Sequence, residues 1–181
     1  MKFRFNVKLS DQDYIDFNVF SLYESPYGNK TKLTLRIMIT ILFITLALLG
    51  LTYQDYSTRS IVAAVILMVF LLVIQLRFKK FIVSSVKRTV KSLNKKGKLG
   101  YSKESVIEFY DDYFVETTEE GKTEHKSTAI ERVSVVDNKV IYIHINSVMS
   151  YILPKDCFES KEQFDVFLGF IKTKCENIDF Y

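Results

Sequence analysis

The sequence predicts an α+β membrane protein: a two-helix transmembrane hairpin with a cytoplasmic antiparallel sheet, or partly open barrel, closed by a C-terminal helix. Three observations carry this. Two apolar blocks lie between residues 33 and 76. A block with nine Lys/Arg and no acid follows over 77–98. From Ser102 apolar residues alternate with period 2 between turn signals, and helical spacing returns near Phe164. The expected parts are 1–30, a strand and helix docked on the C-terminal domain; 31–76, the hairpin; 77–98, a basic juxtamembrane helix; and 99–181, the sheet domain.

The opening KFRFNVKL alternates, with Phe3, Phe5, Val7 and Leu9 on one face and Lys2, Arg4, Asn6 and Lys8 on the other. That is a strand with one wet face. A helix is expected next. Ser10 is its N-cap, Asp13 sits in the capping-box position, and Asp11 and Asp13 suit the positive end of the helix dipole. Pro26 and Gly28 are expected to end it. The strand is expected to extend the C-terminal sheet, and Phe17 and Phe20 to help cover its core. The opening has no apolar signal region, so the first apolar block is expected to direct targeting.

Leu33 to Leu51 would span about 28 Å as a helix, close to the hydrocarbon thickness of a bilayer. Its one charge, Arg36, lies near the N-terminal end, where it can snorkel. Thr34, Thr40 and Thr45 can bond back to helix carbonyls. Ile61 to Leu76 is uncharged and covers only about 24 Å, so Ser60 and the stems of Arg77 and Lys79 are expected to extend it. The spans are placed at about 33–52 and 60–77. A second block beside the first argues against a soluble core helix. The connection TYQDYSTRS is short, which makes the spans antiparallel neighbours, and Tyr53 and Tyr56 suit an interfacial belt. The connection carries one nearby cation, Arg59. The outer flanks carry Lys30, Lys32, Arg36, Arg77, Lys79 and Lys80, which places both termini in the cytoplasm. The expected location is the plasma membrane of the cell, multi-pass.

The block RFKKFIVSSVKRTVKSLNKKGK has no helix breaker before Gly97. Phe78, Ile82, Val86, Val90 and Leu93 recur at helical spacing, so the second span should continue as one helix to a C′ glycine. The candidate lipid or partner contact is Arg77, Lys79, Lys80, Lys87, Arg88, Lys91, Lys95 and Lys96. Each cation near an anionic surface adds about 1 kcal/mol. The plainer reading is a topology determinant, and the two are compatible.

In the C-terminal part, turns are expected at Asp111–Asp112, around Gly121 and at Asp137–Asn138. Met149 to Leu153 is read as the closing strand, ended by Pro154, with Lys155 and Asp156 as an exposed connection. Ser160 caps the final helix with Gln163 at the capping-box position. Phe164, Phe167, Leu168, Ile171 and Cys175 form its core stripe.

Charge is segregated. Residues 1–76 hold seven Lys/Arg and five Asp/Glu, and residues 99–181 hold nine and sixteen. The net charge of +4 therefore comes from one basic block beside an acidic domain, which argues against nucleic-acid binding. Phosphate-binding, zinc-hydrolase and nucleophile-elbow motifs are missing. Cys157 and Cys175 fit no metal or redox spacing and read as free cytosolic thiols. His144 and Cys157 could be drawn as a base and nucleophile, but nothing in sequence orients the histidine. Glu116, Glu119, Glu120 and Glu124 flank a turn and read as a solvated rim. No catalytic, metal or cofactor site is expected, and not an enzyme.

Three motifs in order resemble the YcxB-like family of small bacterial membrane proteins. The first is a strand followed by Asp13, Tyr14, Ile15, Phe17 and Asn18, with a break at Ser25, Pro26 and Gly28. The second is the pair of spans. The third is Leu153, Pro154, Lys155 and Phe158 before Phe164 and Phe167. The chain departs at Thr128–Ala129, where many relatives carry a tryptophan. The resemblance implies a pleckstrin-homology-like (PH-like) C-terminal domain and assigns no activity. The expected function is a membrane-tethered PH-like module that binds protein or lipid. Its partners would be the bilayer and a protein or a second copy of the chain. The alternative is a subunit of a channel or transporter, or its assembly factor, with a pore lined by Thr34, Thr45 and Gln75.

Overall fold

A computed structural model describes residues 1–53, 56–97, 101–146 and 149–181. Gln54 and Asp55 of the expected connection, Lys98 of the basic block, Leu99 at the expected domain boundary and Val148 before the closing strand lie outside the described residues. The chain divides into two units. One joins Met1–Phe17 to Leu93–Tyr181, and the other is Asn18–Ser92.

In the first unit, β1 (Phe3–Lys8) pairs antiparallel with β2 (Glu104–Phe109), which continues to β3 (Tyr113–Thr118) and β4 (Gly121–Lys126). The wet face of β1 sets Arg4 opposite Glu108 and Lys8 opposite Glu104, with ion pairs at 3.8 and 3.1 Å. Such exposed cross-strand pairs help set register more than they stabilise. The second sheet has the order β7 (Ser150–Leu153), β6 (Val140–His144), β5 (Arg132–Val136), β8 (Ile178–Phe180). The Asp137–Asn138 turn joins β5 to β6 with both residues at φ 51°, and Lys139 N–H donates to the Val136 carbonyl at 2.9 Å, as a type I′ turn requires.

The strands thus form two four-stranded sheets and not a closed barrel. A 3₁₀ turn, Ser127–Ala129, ends the first sheet after β4 and starts the chain towards the second. The helix α4 (Lys161–Lys172) supplies Phe164, Phe167, Leu168 and Ile171 to a core shared with Phe5, Val7, Ile107, Phe109 and Phe114 of one sheet and Val133, Val135, Ile141, Ile143 and Leu153 of the other. Ser160 Oγ accepts from the Gln163 backbone N–H at 3.2 Å, and Gln163 Oε1 accepts from the Glu159 N–H at 2.7 Å, which fixes where α4 begins. Phe158 is half-buried, 4.9 Å from Phe5 and 5.0 Å from Phe164. Met149–Leu153 does not close the domain. After α4 the chain returns as β8, parallel to β5.

The helix α1 (Asp11–Val19) starts at the expected capping box. Ser10 N–H donates to Asp13 Oδ2 at 2.8 Å, and Asp13 N–H donates to Ser10 Oγ at 3.2 Å. Phe17 packs 5.1 Å from Tyr142 on β6, whose neighbours Ile141 and Ile143 point into the core, so Phe17 covers the opposite face of that sheet. Phe20 belongs to the second unit.

In the second unit, a π-helical turn (Phe20–Glu24) leads into α2 (Pro26–Tyr53), followed by α3 (Thr58–Lys95), whose last three residues belong to the first unit. Pro26 therefore opens a helix rather than ending one. Ser25 is extended (ψ 157°), its Oγ accepts from the Gly28 N–H at 3.0 Å, and proline at the first helical position loses no hydrogen bond. A side chain at Gly28 would collide with the backbone of Ser21, Leu22 and Tyr23, so the π-turn requires glycine there. Both α2 and α3 are long and apolar enough to cross a membrane, and only 6% and 11% of their apolar windows are buried within the protein.

Candidate functional site on the basic helix face

At 100° per residue, Arg77, Lys79, Lys80, Lys87, Arg88 and Lys91 fall within one half of the α3 surface, and Phe78, Ile82 and Val86 within the other. The burial follows this division: Phe78 and Val86 are buried, and the six cations are exposed. Lys79, Lys80, Val83, Ser84, Lys87, Arg88 and Lys91 line an open groove of about 490 Å³. Lys95 closes the helix. Lys96 lies past it, before Gly97 at φ 62°, whose N–H donates to the Asn94 carbonyl at 3.1 Å. Lys95 and Lys96 fall in the first unit, so the eight candidates do not all share one unit.

The cations are not equivalent. Lys79 Nζ donates to Glu24 Oε1 at 2.8 Å and lies 5.3 Å from the centre of the Tyr23 ring. The Glu24 hydrogen bond and charge raise its pKa above the ordinary lysine value. Lys32 reaches the same ring at 4.1 Å and donates to the Tyr23 carbonyl at 3.0 Å. Lys79 thus tethers the π-turn to α3. Among the described residues, Arg77, Lys80, Lys87, Arg88 and Lys91 form no ion pair. A row of unpaired cations on an exposed face can take up anions without first breaking internal contacts.

The drawn His144–Cys157 pair is not assembled. His144 Nδ1 lies 2.8 Å from Ser150 Oγ and Nε2 lies 3.2 Å from Ser134 Oγ, so serines occupy both ring nitrogens. Ser134 is fully inaccessible, and His144 is buried beside it. Burial pushes the Cys157 thiol up to about 12, far from a reactive thiolate. Glu119, Glu120 and Glu124 are exposed, and Glu116 is half-buried with its pKa raised by desolvation. Among the described residues no group of three or more His, Cys, Asp or Glu could hold a metal.

Burial lowers the His144 pKa from 6.5 to about 4, with the Arg132 charge adding to the effect. The unfolded chain takes up a proton near pH 6.5 that the folded domain refuses until near pH 4. Stability is therefore full above pH 7 and falls as the pH drops through this window. The expected loss between pH 7.5 and pH 5 is about 2 kcal/mol. Chemical denaturation at the two pH values measures it, and His144→Gln should remove most of the difference.

The second unit holds one further polar constellation. Arg36 Nε donates to Gln75 Oε1 at 2.6 Å. Gln75 Nε2 donates to the Arg36 carbonyl at 3.3 Å and to Thr40 Oγ1 at 3.2 Å. Thr40 Oγ1 donates to the Arg36 carbonyl at 2.8 Å. This clamps α2 to α3, and Phe43 and Phe70 meet deeper along the pair at 6.2 Å. No sequence spacing pointed to it, because the partners are 39 residues apart.

Two long apolar helices and a two-sheet domain closed by a helix define an α+β protein of two units. Residues 109–171, from the end of β2 into α4, match the family model described as YcxB-like protein. The two apolar helices stand N-terminal to this stretch, as the resemblance implies. No curated protein and no solved structure matches the chain.

Proposed function

We propose that this protein is a membrane-tethered binding module. Its hairpin crosses the bacterial plasma membrane, both termini lie in the cytoplasm, and a PH-like domain works beside the inner leaflet. The observation that carries the reading is the row of unpaired cations beginning at Arg77, where the apolar stretch stops. Support for insertion comes from Ile37, Met38, Leu42 and Leu49 on α2 and Ile66, Val69, Phe70 and Leu72 on α3, all exposed. So much uncovered apolar surface suits lipid better than water. Two sheets sharing a core with a C-terminal helix support the PH-like reading.

The helix rise divides the basic face by depth. Arg77, Lys79 and Lys80 lie within a turn of each other, at headgroup level for an inserted helix. Lys87 begins about 15 Å further along and Lys91 about 21 Å. Screening at physiological salt sets in over about 8 Å. Arg77 and Lys80 therefore meet anionic lipid, and Lys87, Arg88, Lys91 and Lys95 meet a protein partner with an acidic surface.

Glutamine at Lys87, Arg88, Lys91 and Lys95 together should reduce recovery of a co-purifying partner at least tenfold and leave membrane insertion unchanged. Affinity purification from native membranes measures both. Unchanged recovery with normal insertion would refute partner binding by this face. The alternative of a channel or transporter subunit keeps Thr34 and Thr45 on the exposed side of α2. The Arg36–Thr40–Gln75 clamp weighs against it, because Gln75 is engaged within the hairpin.

A further inference from the structure

We infer that the cleft beside Arg36 seats the phosphate of one inner-leaflet phospholipid. The inference rests on the membrane reading above and goes beyond it, because this site lies within the hairpin and apart from the basic face of α3.

The residues form a built site. Arg36, Ile37, Thr40, Ile41 and Gln75 line a cleft of about 350 Å³. The Gln75 clamp uses only the Nε of Arg36. An arginine carries five N–H donors, so four remain on the two Nη atoms. Among the described residues they have no partner, and no carboxylate pairs with Arg36. A free arginine near a helix end would be expected to snorkel. Here Gln75 holds the guanidinium beside the cleft that Arg36 lines, with the Nη fork left unbonded. That fork matches the paired oxygens of a phosphodiester.

Depth agrees. Arg36 is seventeen residues from Tyr53 at the end of α2, and Gln75 is seventeen residues from Thr58 at the start of α3. Both therefore lie about 26 Å from the loop end, near the far edge of a hydrocarbon layer roughly 30 Å thick. Lipid phosphates lie just beyond that edge. Ile37 and Ile41 are exposed, one turn apart, and run from Arg36 towards the loop end. An acyl chain attached to the seated phosphate would lie along them. A charged side chain at this depth is costly without a counter-charge, and a lipid phosphate supplies one.

Native mass spectrometry of the full chain in mild detergent tests this, with phosphatidylglycerol and with a diacylglycerol of the same acyl chains as probes. One phosphatidylglycerol should be retained at least tenfold more tightly than the diacylglycerol and should survive millimolar inorganic phosphate. Arg36→Gln should lower its retention about tenfold and leave the diacylglycerol unchanged. Joint glutamine substitution of Lys87, Arg88, Lys91 and Lys95 should leave this one lipid in place. Equal retention by wild type and Arg36→Gln would overturn the inference, as would equal retention of the two probes or displacement by free phosphate. Should Arg36→Gln fail to fold, Arg36→Lys keeps the charge without the fork. A several-fold loss is then expected, and wild-type retention overturns the assignment. Release of the wild-type chain from membranes by alkaline extraction would remove the membrane reading itself. An inserted chain whose Arg36→Gln variant holds the lipid normally removes only this inference.

Discussion

Phe167→Ala should destabilise the sheet domain by about 3–5 kcal/mol, the usual cost of deleting a fully buried phenylalanine. Phe167 is inaccessible and lies at the meeting point of the core. Its ring is 5.2 Å from Phe3, 4.8 Å from Phe5, 4.9 Å from Phe109 and 5.9 Å from Phe158. Three of these neighbours sit on β1 and β2 and one on the approach to α4. Their rings cannot close over the void without leaving their own partners. Domains of this kind have total stabilities of about 5–15 kcal/mol, so the loss is a large share. Denaturant melts followed by tyrosine fluorescence measure it. Phe180→Ala, at a site 55% exposed, should change stability by well under half as much.

Removing residues 1–9 should have an effect at least as large and abolish the cooperative transition of the sheet domain. The deletion takes Phe5 and Val7 from the core, each worth about 1.5–3 kcal/mol in burial. It also strips β2 of its antiparallel partner over Phe3–Lys8 and bares Ile107 and Phe109. A domain that needs strands from both ends of the chain has little else to fill that edge. Circular dichroism and limited proteolysis of the truncated full-length chain read the result. A sharp transition at the wild-type midpoint would show that β1 is dispensable.

Much of this architecture was legible because it rests on local signals. Phe3, Phe5 and Val7 alternate, and they form β1. Asp137–Asn138 reads as a turn because those residue types tolerate positive φ. Gly97 stops α3 with its positive φ, and Ser160 with Gln163 marks the start of α4. What sequence hid depends on distant partners or on ambiguous residues. Proline before an apolar run suits a stop or a start, and only the bond from Gly28 N–H to Ser25 Oγ decides for Pro26. The split into two sheets follows from long-range pairing. Three residues of β8 are too few for a period, and their register comes from β5.

The candidate site shows the same division. The basic face could be read from helical spacing. That Lys79 is engaged could not, since Glu24 lies 55 residues away in the chain. The clamp of Arg36 by Gln75 was hidden for the same reason, and sequence alone left Arg36 as a free snorkelling charge.

The central claim is an inserted hairpin with both termini in the cytoplasm. It is tested most directly by labelling single cysteines in intact cells with a membrane-impermeant maleimide, in a chain with Cys157→Ser and Cys175→Ala. Tyr56→Cys, exposed between the apolar helices, should label from outside. Asp111→Cys, exposed at the turn between β2 and β3, should label only after permeabilisation. Labelling of Asp111→Cys from outside, or of neither site until the cells are opened, would contradict the account.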